Sequence, residues 1–427
     1  MNLSVYLRSI GPGIIFAATS IGVSHVVQST RAGADFGYSL IVLVILAHLV
    51  KWPFFQMGPR YASATGESLL QGYRKVGTWA YRLFMLLTVS TMFIVQAAVT
   101  IVAAGVLANI FDTGWSIFTW SALVLSACIG LLLSGGYRWL DKSLKLMMVV
   151  FAITCVIALV AVLGKAPVAQ DWNSVSVDYW APASIAFMVA LVGWMPTTIE
   201  VSVWQSFWVV ERNAQSNEKG SNSQALSVKD KSAASVFDFN LGYLFCLLFA
   251  IVFVVLGARL LFGSGETLSG SAIGFSAQLI QIFVSALGDW SKPVVSLLIF
   301  VAMFSTCIAV ADGFSHVVSR AVQGHESSHV DSLKQHHKWY RICVLLMAVG
   351  GWLVIFWFSG QLKSLIDFAT TISFVFAPFF AYINIKAMHL PVIPEEAKLT
   401  KNFMLYTWAC FALLLAFSCF YVMWRFF

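Results

Sequence analysis

Two short stretches hold polar groups where the surrounding chain is apolar. They are Ser20-Ile21-Gly22-Val23-Ser24-His25 and Gly193-Trp194-Met195-Pro196-Thr197-Thr198. Each pairs a glycine, which tolerates unwinding, with hydroxyls, and the second adds Pro196, which cannot donate to a helix ladder. Ser24, His25, Thr197 and Thr198 offer hydroxyl and imidazole groups, and Met195 offers a soft, neutral thioether. Such groups at the start of a helix suit a small anion or a polar neutral solute, because helix N-termini favour negative charge. Each residue also has a plainer reading. His25 fits a neutral core histidine bonded to a carbonyl, and Thr197 and Thr198 fit back-bonding to carbonyls freed beside Pro196. Ser24 fits close helix packing, and Met195 fits core filler.

Three acids fall in apolar runs: Glu200, Asp312 and Asp367. Glu200 follows Pro196 and Thr197 by four and three residues, so it faces roughly the same side and is a candidate proton carrier, His25 partner or cation ligand. Asp312 follows Ser305-Thr306 and can instead pair with Arg320 or Arg341. Asp367 is spaced to pair with Lys363 four residues earlier. Lys51, in LAHLVKWPFF beside His48 and Pro53, is read as snorkelling to the inner interface. His325, His329, His336 and His337, with Glu326 and Asp331, have the composition of a metal site but irregular spacing, and read as a solvated loop. The seven cysteines form no C-x-x-C pair and read as small apolar residues. No P-loop, nucleophile elbow or H-E-x-x-H motif appears, so the chain is not expected to be an enzyme.

The elements that must position these residues follow from composition. Of 427 residues, 59% are apolar and only 11% charged, against roughly 25% charged in a soluble domain. This excludes a soluble enzyme and a disulfide-stapled secreted domain, and describes a polytopic helical membrane protein. The net charge of +7 is spread between apolar runs, which is no nucleic-acid footprint. A crossing needs about 20 apolar residues, and eleven runs qualify, near 11–30, 38–58, 83–110, 116–134, 144–164, 183–209, 239–262, 293–317, 340–358, 361–387 and 403–424. A shorter amphipathic stretch, 271–287, reads as an interfacial helix, with a re-entrant segment as the alternative. No cleavable signal is expected at the start.

With a cytoplasmic N-terminus, 19 of the 26 Lys and Arg fall inside and six outside, with Lys51 in a span. That bias predicts N-terminus in and C-terminus out. The long polar connector Glu211–Ser235 follows span 6. Five spans, five more and one extra predict a single transport domain: repeat one over 11–164, linker 211–235, repeat two over 183–387, and an extra helix over 403–424. An odd count per half inverts the second half, the architecture of many secondary transporters, whose first helix in each half is broken at mid-membrane.

Gly11-Pro12-Gly13, Arg31-Ala32-Gly33-Ala34-Asp35-Phe36-Gly37-Tyr38-Ser39-Leu40, Gly135-Gly136-Tyr137-Arg138 and Met195-Pro196 resemble stretches of Nramp-type metal transporters. The resemblance implies the leucine-transporter fold, broken helices 1 and 6, and alternating access. The departures from that family fall on its functional positions. Its D-P-G-N signature falls on Gly22-Val23-Ser24-His25, so Gly22 replaces the metal-binding aspartate and His25 the asparagine. Its sixth-span histidines are replaced by Thr197 and Ser202. The acids of its third span fall on Gln96 and Val99. In this fold a sodium ion commonly sits between span 1 and hydroxyls of span 8, which makes Ser305, Thr306 and Asp312 candidate Na⁺ ligands.

A divalent cation at mid-membrane wants at least one carboxylate, and Gly22 removes it. The sequence therefore predicts an Nramp-related secondary transporter with a rebuilt site for a small inorganic anion, bicarbonate first. Its site residues are Gly22, Ser24, His25, Met195, Thr197 and Thr198, with Glu200, Ser305, Thr306 and Asp312 for coupling, and no resident metal or cofactor apart from co-transported Na⁺. The alternative is a divalent-metal transporter (Mn²⁺, Fe²⁺ or Mg²⁺) with a non-standard site. A monomer in a bacterial inner membrane, surrounded by lipid and without nucleic acid, completes the expectation.

Overall fold

A computed structural model describes residues 6, 10–164, 176–218, 227–323, 329–358 and 361–426, with 135–145, 147, 215–218, 286 and 329–337 by backbone alone. Among these residues the chain is helical, and eight helices are long and apolar enough to cross a membrane. They cover spans 2, 3, 4 and 7 to 11 of the sequence reading. Spans 1 and 6 consist of shorter helical pieces, and span 5 is represented by the shorter apolar helix Met148–Leu163.

Both expected breaks are present. Span 1 is a helix over Pro12–Ser20, then two non-helical residues, a π-helical turn over Val23–Ser29 and a helix over Thr30–Phe36. Span 6 is a helix over Pro182–Gly193, an irregular stretch, and a helix over Val201–Glu218. Span 3, Thr78–Phe111, is the most enclosed of the eight crossings and packs against spans 8, 9 and 10 and the helix Ala272–Leu287. That last helix coincides with the amphipathic stretch and buries Phe275, Leu279 and Phe283.

Span 1 lies along span 7 (Val228–Leu260) through glycines in both of its halves. A Cβ on Gly13 would lie 1.9 Å from the Asp238 carbonyl oxygen, and one on Gly33 would lie 2.1 Å from that of Val254. Small residues at these positions let the backbones touch, which is how helices gain packing energy in lipid. The same carboxylate-bearing residue secures the start of span 1: Asp238 accepts the N–H groups of Gly11 and Gly13 at 2.9 and 2.7 Å. An anion there satisfies two orphan donors and the positive end of the helix.

Two boundaries differ from the sequence reading. The linker expected over 211–235 is largely helical, since span 6 runs on to Glu218 and span 7 starts at Val228, capped by Ser227. Polar residues beyond a membrane edge extend a helix as readily as they end it. The backbone is also helical without a break from Ile117 to Leu163, where spans 4 and 5 were expected as separate helices. At about 1.5 Å per residue that is roughly 70 Å of helix, more than two hydrocarbon thicknesses. Among its described side chains, Trp120, Ser121, Val124, Leu125, Cys128 and Leu132 are buried in the first part, and Met148, Phe151, Cys155, Ala158 and Val162 in the last.

Candidate functional site

The breaks in spans 1 and 6 face each other across a small cavity. Its volume is about 20 Å³, room for one water-sized species. Thr19, Ser20, Ser24, Thr197, Thr198 and Thr306 line it, with Trp194, Trp204 and a set of valines that includes Val95 and Val99. No lining residue is charged. Trp194 Nε1–H donates to Ser373 at 2.8 Å. Trp204 Nε1 and Ser20 Oγ are buried without a hydrogen-bond partner among the described residues.

Ser24 and His25 fasten the breaks together. His25 Nε2 lies 2.9 Å from the Cys246 carbonyl of span 7, so it donates there. The neutral ring then accepts at Nδ1 from the Ser24 hydroxyl, 2.8 Å away. The same hydroxyl oxygen lies 2.8 Å from the Ser20 carbonyl and 3.1 Å from that of Pro196. His25 is thus a bonded core histidine behind the cavity wall. His48 lies beyond it, its ring centroid 6.4 Å away and its Nδ1 bonded to the Val44 carbonyl.

The structure therefore brings Ser24, Thr197, Thr198 and Thr306 to one cavity. Gly22 abuts the last of these: a Cβ there would lie 2.3 Å from Thr306 Oγ1. Thr306 fills the space that a side chain at position 22 would need, and its hydroxyl donates toward the Ala18 and Ala302 carbonyls. Glu200 stands one step back. Its Oε1 accepts from Thr198 at 3.2 Å, and its Oε2 has no partner among the described residues.

Other candidates lie elsewhere. Met195 packs with Phe36, Val44, Leu191 and Val254 in an apolar cluster away from the cavity. Ser305 bonds back to Ala302. Gln96 donates to Thr100 on its own helix. Asp312 accepts from Tyr340 at 2.6 Å and Trp208 at 3.3 Å and contacts His316, in place of the expected Arg320 or Arg341. Asp367 pairs with Arg31, through two bonds of 2.6 and 3.1 Å, and not with Lys363, which donates to the Leu268 carbonyl. The planar guanidinium meets the two carboxylate oxygens with separate nitrogens in a fixed fork, a geometry an ammonium does not offer. The histidine-rich loop side chains lie outside the described residues.

Lys51 corrects the sequence reading most. It is completely buried instead of snorkelling, and its Nζ lies 2.6 Å from the Val192 carbonyl, 2.8 Å from that of Gly193 and 3.5 Å from that of Thr197. A broken helix leaves carbonyls short of donors; the Val192 carbonyl also accepts the Met195 N–H at 3.2 Å, and the ammonium adds to it and to the carbonyls of Gly193 and Thr197. The signal was available: of the Lys and Arg residues, Lys51 lies deepest inside an expected span, the others being within a few residues of a span end or outside one. Thr19, Ser20, Trp194 and Trp204 were also missed, since hydroxyls and indoles are ordinary in membrane helices.

Apolar crossings, two facing breaks and a small cavity between them define a membrane transporter with broken helices. The natural resistance-associated macrophage protein-like family model matches residues 13–424, and the chain belongs to this Nramp family. An uncharacterized protein of Pasteurella multocida is 35% identical over 382 residues, 88% of this chain and 84% of that one. Among solved structures, the manganese transporter of Eremococcus coleocola superposes with a TM-score of 0.72 at 16% identity, covering 97% of this chain and 86% of that one. MhsT in complex with L-phenylalanine gives 0.63 at 14% identity, covering 96% and 97%. Mhp1, a nucleobase-cation-symport-1 transporter, gives 0.59 at 14%, covering 97% and 92%. These likenesses establish the leucine-transporter-like fold.

Proposed function

We propose that this secondary transporter moves a small solute rich in hydrogen-bond acceptors, bicarbonate being the first to test, by alternating access across the two breaks. The observation behind this reading is a cavity lined by six hydroxyl-bearing residues and, among the described residues, by no carboxylate, with the indole N–H of its lining residue Trp204 buried and without a hydrogen-bond partner. An indole N–H only donates, so it can serve an oxyanion or a carbonyl and can never ligate a cation. The cavity wall adds hydroxyls, which donate as well as accept, and no carboxylate. A dication there would lose its water without a compensating anion, at a cost of many kcal/mol. The cavity must widen to admit bicarbonate, which the opening of either side provides.

Na⁺ is the coupling ion in this reading, held between the Ala18 carbonyl and the Thr306 hydroxyl of spans 1 and 8, 3.3 Å apart. The chain is read as a monomer in the inner membrane with eleven crossings and its N-terminus in the cytoplasm, as the basic residues are distributed. The test is uptake of radiolabelled bicarbonate into proteoliposomes at alkaline pH, with and without Na⁺, against empty liposomes. Uptake above the control, reduced roughly tenfold or more by Trp204→Phe, is the expected result. Uptake equal to that of empty liposomes together with saturable Mn²⁺ uptake would overturn the anion reading in favour of divalent metal.

A further inference from the structure

We infer that Lys51 is a tethered cation: its ammonium fills a monovalent-cation site built by the carbonyls of Val192, Gly193 and Thr197 at the break in span 6. The geometry is that of an ion site. Three backbone carbonyls converge on one nitrogen, and among the described residues no carboxylate lies within ion-pair distance of it. The buried charge is therefore neutralised by oriented backbone dipoles alone. Two of the carbonyls close the twelve-residue helix Pro182–Gly193, whose C-terminal end bears the negative pole of its dipole. Carbonyl rings of this kind replace the hydration shell of a monovalent ion.

The surroundings add an independent observation. An apolar groove of about 250 Å³ on the face of the bundle has Lys51 among its lining residues, with Ala47, Val50, Val192, Phe374 and Leu414. If the lysine stem were removed, the groove would lead to the carbonyls. A small alkylammonium, with an apolar end and a cationic head, has the right chemistry to follow that path. Lys51 also joins span 2 to the broken span 6, so its charge and its stem act at the same point. This inference is independent of the transported solute, because it concerns a cation that never leaves the protein.

The test compares melting temperatures of the purified full chain and its Lys51→Ala, Lys51→Gln and Lys51→Arg variants, with and without ethylammonium, K⁺ and ethanol. Lys51→Ala is expected to melt lower, and ethylammonium or K⁺ to raise its melting temperature saturably by a few degrees, while ethanol does nothing and the parent does not respond. Lys51→Arg should stay near the parent and Lys51→Gln should fall toward Ala. A Lys51→Gln protein as stable as the parent would show that the charge is dispensable and overturn the inference. So would a cation-insensitive Lys51→Ala, or an equal ethylammonium shift in the parent. If Lys51→Ala does not accumulate, the amounts of the other two in the membrane decide: Arg retained with Gln lost supports a required charge, and any other pattern overturns it.

Discussion

An ideal Cβ on Gly22 would lie 2.3 Å from Thr306 Oγ1 and 2.9 Å from Thr306 Cβ. By the sequence resemblance, the family's metal-binding aspartate falls on position 22, and Thr306 occupies the space that a side chain there would need. Gly22→Ala should destabilise the protein by about 1–3 kcal/mol, the usual cost of overpacking a tight contact. Thr306→Ala removes the nearer atom and should recover much of that loss in the double variant, a coupling that a double-mutant cycle in denaturant unfolding would measure. Independent, additive effects would show that the two residues do not share this space. It follows that Gly22→Asp with His25→Asn cannot rebuild a metal site by itself, because Thr306 must be trimmed as well. At this scale the sequence was half legible. Gly22 announced itself by its departure from a motif, and Ser24, Thr197 and Thr198 by their place in the breaks. His25 and Met195 share those stretches but face elsewhere, because adjacent residues in an unwound segment have no periodicity from which to read a direction.

Elements were easier to read than residues. Hydropathy located the eight crossing helices found among the described residues, and Gly22 and Pro196 located both breaks, because unwinding needs residue types that are rare inside helices. The connectors were not legible: polarity marks the membrane edge, while helix can continue past it, as it does to Glu218 and from Val228. Long-range caps were also invisible. Asp238 lies 225 residues from Gly13, yet it holds the first half of span 1 by two charge-assisted bonds. Asp238→Asn keeps the shape but removes the charge and one acceptor. It should cost about 1–3 kcal/mol and concentrate its effect on residues 11–20. Amide hydrogen exchange checks this: protection should fall over that segment and hold over Val23–Phe36. An even loss over both halves would mean that span 1 is anchored as one piece.

Over the whole molecule, the two halves of span 1 are fastened to different partners, with the Gly22 break between them. Asp238 of span 7 pins the first half. The second half is pinned by Arg31, which pairs with Asp367 of span 10 and lies 4.8 Å over the Phe187 ring of span 6. With the N-terminus in the cytoplasm, the Arg31–Asp367 pair lies on the outer side of the cavity and the Asp238 cap on the inner side. Alternating access requires that one fastening hold while the other yields. Releasing the outer one by Asp367→Asn should therefore expose the cavity outward. In a protein carrying Ser20→Cys, reaction with an impermeant thiol reagent applied from outside should speed up several-fold. The native cysteines contribute little background, since of the seven only Cys419 is exposed. High salt should reproduce only part of the gain, because screening reaches Asp367, whose side chain is 36% exposed, more readily than Arg31, at 8%. Asp238→Asn should leave the outside rate unchanged. Faster labelling of the Asp367→Asn protein only in inverted vesicles would reverse the assigned orientation, and no change on either side would show that the pair does not close the cavity.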